Sequence, residues 1–115
     1  MANVIRSSAV ADTVHVQPIE HFQQFGRVEI VGSITLVYNH HHHHLQDLLT
    51  DLQHGHRDIV IATLHCHLDH HNCLEILAVR GKAIKVKRLA DELIAAKGVK
   101  HGKLTITSTG KDLPG

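Results

Sequence analysis

The sequence predicts an α+β fold: one antiparallel four-stranded sheet with two helices packed on one of its faces. Three observations carry this. Four segments are β-branched or alternate apolar with polar residues, at 27–39, 58–69, 73–81 and 103–109. Two segments repeat apolar residues at helical spacing, at 41–54 and 83–97. Their order is β-α-β-β-α-β, the split βαβ or ferredoxin-like plan.

Each element has its own warrant. The first strand is "RVEIVGSITLVYN", in which Gly32 suggests a bulge. In the first helix Leu45, Leu48, Leu49 and Leu52 share one face, Asn39 is a suitable N-cap and Gly55 a suitable stop. "DIVIATLHCHLD" reads as a strand, "HHN" as a turn, and "CLEILAVRG" as the returning strand. The second helix buries Val86, Leu89, Ala90 and Leu93, and Gly98 ends it. "KLTITST" closes the sheet. The expected organisation is an irregular arm over 1–29, one domain over 30–110 and a frayed tail over 111–115. One sheet face is left without helices. Ile59, Val60 and Ile61 place apolar residues on both faces, so a second subunit is expected to cover the bare one.

Composition narrows the function classes. Lys+Arg 12 against Asp+Glu 11 leaves no charge excess of the kind nucleic-acid binders use. Aromatic residues are 3% of the chain, too few for base-stacking platforms. No apolar run reaches the length of a membrane span, and "MANVIRSSAVADTVHV" lacks the apolar core of a signal peptide. A cytoplasmic setting is therefore expected, where Cys66 and Cys73 stay thiols or metal ligands rather than a disulfide. The outlying number is His 14 in 115 residues, and histidine enrichment points to metal.

The chemistry sits in "LHCHLDHHNC", residues 64–73. Alternate strand residues share a face at roughly 6–7 Å, so His65 and His67 point the same way. Cys66 points the other way with Leu64 and Leu68, and reads as a buried small hydrophobe. The hairpin returns Cys73 beside His67. Two imidazoles and a thiolate suit Zn(II), Ni(II) or Cu(II), and residue type alone does not separate these ions. His54 ends the first helix, roughly 20 Å or more from that cluster along the next strand. Within one chain it falls short, but a two-fold related copy could supply it. Glu75 shares the face of Cys73 and is suited to accept an imidazole N–H. The run "NHHHHHL", with His40 to His44, joins a strand to a helix and reads as a solvated helix start rather than an expression tag. His70 and His71 fall in the turn, on the surface.

"GSITLVYNHH", "LQHGHRDIVIATLHCHLDHHNCLEILAVRGKA" and "AAKGVKHGKLTITSTG" resemble the C-terminal, metal-binding half of the nickel-responsive transcriptional regulators, the NikR family, over about 31–110. The resemblance implies an ACT-like domain of ferredoxin type, a tetramer, and Ni(II) in a square-planar site between subunits. It carries the metal ligands onto His65, His67 and Cys73 of one subunit and His54 of its neighbour, with Tyr38, His40 and Glu75 close by. The family also has a ribbon-helix-helix DNA-binding domain of about fifty residues. "VIRSSAVADTVHVQPIEHFQQFG" does not show its pattern of an alternating basic strand followed by two amphipathic helices.

The expected function is therefore a nickel-binding regulatory or sensor protein, homo-oligomeric, without a DNA grip of its own and open to a further protein partner. Two alternatives stand beside it. One is a nickel-dependent repressor that reads DNA through an atypical N-terminus, and the other is a nickel store that also uses the His40–His44 run. An enzyme is not expected, because four protein ligands in a plane leave no equatorial vacancy for substrate.

Overall fold

The structure is a computed structural model that describes residues 26–111. The arm expected over 1–29 and the tail over 111–115 lie mostly outside them. The elements are β1 (Glu29–Asn39), α1 (Leu45–His54), β2 (Val60–His67), β3 (Asn72–Lys82), α2 (Ala83–Ala95) and β4 (Val99–Thr107). They form one sheet in the order β2-β3-β1-β4, antiparallel throughout. This is the ferredoxin-like α+β sandwich that the pattern predicts.

β1 is central and pairs with both β3 and β4, so its alternation is strict. Ile34, Leu36 and Tyr38 turn inward and are fully buried. Cys73, Glu75, Leu77 and Val79 of β3 share that inner face, with Leu104 of β4. α2 covers the layer with Ala83, Val86, Leu89, Ala90 and Leu93, the stripe its spacing predicts. Burying each such Leu or Val contributes roughly 1.5–3 kcal/mol relative to exposure. Glycine matters at two points. A Cβ on Gly32 would lie 2.3 Å from the carbonyl oxygen of Thr105, so this residue lets β1 and β4 approach. Gly98 takes φ 101 and turns the chain from α2 into β4.

Several local expectations change. Gly32 does not bulge β1: the register shifts fall between Val37 and Tyr38 against β4, and between Val60 and Ala62 on β2. α1 starts at Leu45 rather than at residue 41. Asn39 does not cap it. Its Oδ1 accepts the N–H of His41 in a local turn, and His44 enters the helix at φ 61. An Asn side chain that bonds its own backbone two residues on competes with helix, so the histidine run is a turn instead. Leu45 and Leu49 are buried, but Leu48 is 43% exposed, so the stripe on α1 is narrower than four leucines. β2 is shorter than 58–69, because Ile59 and Val60 still donate to the carbonyl of His56 in a turn. β4 begins at Val99, ahead of the expected 103, because the chain enters the sheet directly after Gly98.

Among the described residues, nothing covers the face opposite the helices. β2 contributes Leu64, 57% exposed, and the adjoining Leu68 is 53% exposed. Cys66 shares this face and is only half-buried, which corrects its reading as a core residue. Strand parity separates Cys66 from His65 and His67 as expected, but among the described residues no layer covers its side of the sheet.

Candidate metal centre

The hairpin between β2 and β3 builds the site. Asp69 Oδ1 accepts the N–H groups of His71 and Asn72, each at 2.8 Å, and Leu68 N–H donates to the carbonyl of Asn72. This tight turn fixes the register that pairs His67 with Cys73 and His65 with Glu75. Cross-strand partners share a face, so all four side chains point to the helix side. β1 adds Tyr38 opposite Cys73. Three neighbouring strands thus bring His67, Cys73 and Tyr38 into one row.

The Cys73 Sγ lies 3.4 Å from His67 Nδ1. His40 completes a group whose donor atoms all lie within 4.8 Å of one another: His40, His67 and Cys73. His65 stands beside it, its ring centroid 5.5 Å from that of His67. Its Nδ1 is turned to Glu75 Oε1 and Tyr38 OH, each at 3.3 Å. His54 is exposed at the end of α1 and takes no part in this group within the chain.

Behind these donor atoms lies a hydrogen-bonded support. Glu75 is 2% exposed. Its Oε2 accepts from Gln53 Nε2, whose amide oxygen accepts from Thr63 Oγ1 at 3.0 Å. Tyr38 OH has one proton and two acceptors in reach, Gln46 Oε1 at 3.0 Å and Glu75 Oε1 at 3.4 Å. Of the residues expected near the metal ligands, Tyr38 and Glu75 lie against His65, and His40 lies with His67 and Cys73. The sequence reading misses Gln46, Gln53 and Thr63. The signal was present for two of them, since Gln46, Leu49 and Gln53 follow i, i+3, i+7 on one side of α1.

The electrostatics suit a cation. Burial pushes the Cys73 thiol above its ordinary range, and the carboxylates of Glu75 and Asp69 push it further the same way. Burial also raises the Tyr38 phenol, aided by the charges of Glu75 and Cys73. Both groups are held protonated where no positive charge balances Glu75. A divalent ion would supply that charge and take the thiolate. Imidazole nitrogen with thiolate sulfur is a donor set that fits Ni(II), and equally Cu(II) or Zn(II).

Comparisons with known proteins bear on the same residues. A family model described as the NikR C-terminal nickel-binding domain matches residues 31–107. A protein of Geotalea uraniireducens named "Putative nickel-responsive regulator" is 56% identical over 108 residues, 94% of this chain and 78% of its own length. One of Geobacter sulfurreducens with the same printed name is also 56% identical, over the same shares. An archaeal one, of Pyrococcus horikoshii, is 49% identical over the same shares. A match of 108 residues in a chain of 115 takes in most of the arm before Val31, so likeness reaches further than the span 31–110 read from motifs. An uncharacterized protein of Thermotoga maritima shares the fold, with a TM-score of 0.63 at 12% identity over 70% of this chain and 99% of that one. Among the described residues no helix is long and apolar enough to cross a membrane. The chain belongs to the family of the NikR C-terminal nickel-binding domain.

Proposed function

We propose that this chain is a nickel-sensing regulatory protein that holds Ni(II) through Cys73, His67 and His65, with His54 supplied by a second copy. One observation carries the reading: the Cys73 sulfur and a His67 nitrogen lie 3.4 Å apart on the helix side of the sheet, backed by a buried carboxylate. The bound ion would supply positive charge beside that carboxylate and a bond to sulfur. The chain's own residues do the rest. Glu75 and Tyr38 orient the His65 ring through Nδ1, which leaves the other ring nitrogen to face a ligand. Gln53 and Thr63 anchor Glu75 from α1 and β2, so the ring's position depends on where α1 sits.

Further copies fit two features, on opposite faces of the sheet. One would cover the exposed Leu64 and Leu68 on the open face. One would bring to the helix-side cluster a His54, which within the chain takes no part in the group around Cys73. We infer a homo-oligomer, a tetramer on the family's pattern, in which metal occupancy reports on how subunits are joined. A regulator rather than an enzyme follows from this architecture, since ligands drawn from two copies fill the positions a substrate would need. The setting is cytoplasmic, where the thiol of Cys73 stays reduced.

Nickel titration of the full chain tests the reading. Cys73→Ser should abolish the thiolate-to-nickel charge-transfer absorption, and Cys66→Ser should leave it intact. If Cys66→Ser removes the band instead, the sulfur ligand lies on the open face and the assignment fails.

A further inference from the structure

A second group of histidines lies outside the site just described. His41, His70 and His71 are all exposed, and their donor atoms all lie within 4.8 Å of one another. The group shares no member with His40, His67 and Cys73. We propose that these three imidazoles form a second metal site, which binds a divalent ion of the zinc, copper and nickel class at the protein surface. The proposal stands independently of whether the Cys73 site takes nickel.

The cluster is assembled from two segments that the fold locks together. His41 follows β1, while His70 and His71 form the tip of the β2–β3 hairpin. The backbone N–H of His40 donates to the carbonyl of His71 at 3.0 Å, which docks the first segment on the second. His41 is held from both ends: its N–H donates to Asn39 Oδ1 at 2.9 Å, and its Nε2 to the carbonyl of His70 at 3.0 Å. A ring nitrogen that donates to a carbonyl must carry the proton, so neutral His41 keeps its Nδ1 lone pair free. The carboxylate of Asp69 accepts from His71 N–H and fixes the turn that carries the other two rings. Ring centroids stand 5.5 Å apart from His41 to His70 and from His41 to His71, and 4.8 Å apart from His70 to His71. Side chains alone are mobile on a surface, but here the backbones that bear them are tied by hydrogen bonds, which lowers the ordering cost of chelation.

Three imidazoles without a thiolate make a borderline donor set, and they leave one or more coordination positions to water. Such a site differs in kind from the Cys73 centre: it is open, carries no sulfur and displaces no thiol proton. Its ion would exchange with solvent more readily, and its occupancy would follow free metal at higher concentration.

Zinc binding to the full chain, measured by equilibrium dialysis with metal analysis, is the test. The wild type should take up at least one ion per chain beyond that held by the Cys73 site, and Cys73→Ser should keep that further ion. The double variant His70→Ala/His71→Ala should lose it, with affinity for it down by roughly tenfold or more. Alanine retains the backbone carbonyls on which His40 and His41 rest. The nickel–thiolate absorption of the double variant should therefore match the wild type, which shows that the hairpin remains folded. His41→Ala should weaken the same ion. If the double variant keeps wild-type zinc stoichiometry and affinity, the further ion is held elsewhere and the proposal fails. If the wild type takes up only the ion that Cys73→Ser removes, there is no second site.

Discussion

His67 and Cys73 are direct partners across the β2–β3 hairpin, with ring nitrogen and sulfur 3.4 Å apart on the side of the sheet that the helices cover. Neither side chain needs to travel to meet a shared ion. The two strands that hold them are joined by a turn pinned on Asp69, so the pair is set by backbone register rather than by side-chain reach.

Glu75 should matter nearly as much as a ligand. It is buried, it faces His65, and Gln53 and Tyr38 both spend hydrogen bonds on it. Glu75→Gln keeps the volume but removes the charge that orients His65 and favours a cation. Nickel affinity should fall roughly 10–100-fold, the range found when a group supporting a ligand is lost. Competition against a chromophoric chelator reads this directly. Unchanged affinity would mean that Glu75 serves the fold alone.

The metal-free protein should lose stability in alkali. Cys73 is raised above its ordinary 9.0, by burial first and then by Glu75. Tyr38 is raised above its ordinary 10.0, again by burial first. For a group whose folded value is raised, the stabilisation is fully present below the unfolded value and is lost as pH climbs through the folded one. Thermal midpoints should therefore decline from about pH 9 upward. Cys73→Ser and Tyr38→Phe should each flatten part of that decline. Nickel affinity should move the opposite way, rising with pH by roughly tenfold per unit below the thiol's titration, since binding releases its proton. A midpoint that stays level to strong alkali would contradict the buried setting of both groups.

Specific operator binding by this chain alone should be absent, with or without nickel. Before Val31 the basic residues are Arg6 and Arg27, and each phosphate contact needs a cation. Near balance of Lys+Arg 12 with Asp+Glu 11 offers no compensating field. A gel-shift series at stated salt decides the matter. A nickel-dependent footprint on a palindrome, with nanomolar affinity, would show the arm to be a DNA reader.

Much of this site is legible in the sequence because strands enforce parity. His65 and His67 had to share a face, and a short hairpin had to return Cys73 to it. His40 was harder to place, since five consecutive histidines give no hint of which one turns inward. The clue was the alternation Ile34, Leu36, Tyr38 on β1, which carried one step past the strand reaches His40. The start of α1 was not legible, because the side chain of Asn39 bonds His41 in a turn that helix periodicity does not register. Cys66 shows the other limit. Parity gives its direction, but whether that face is core or surface depends on what packs against it, which the strand's own pattern does not encode.

The central claim, a metal site shared between copies, is tested most directly by mixing two variants that each lack nickel binding. Cys73→Ser removes the sulfur, and His54→Ala removes the nitrogen assigned to the neighbour. Nickel is buffered by a chelator to a level at which neither variant alone holds it. The two are then unfolded, mixed in equal amounts and refolded together. In a two-fold arrangement, half of the pairs are mixed, and each mixed pair rebuilds one whole site and one doubly broken site, so about a quarter of all sites should regain the nickel–thiolate absorption. A mixture that stays as silent as its components would place all the ligands of each site in one chain, and would contradict the account.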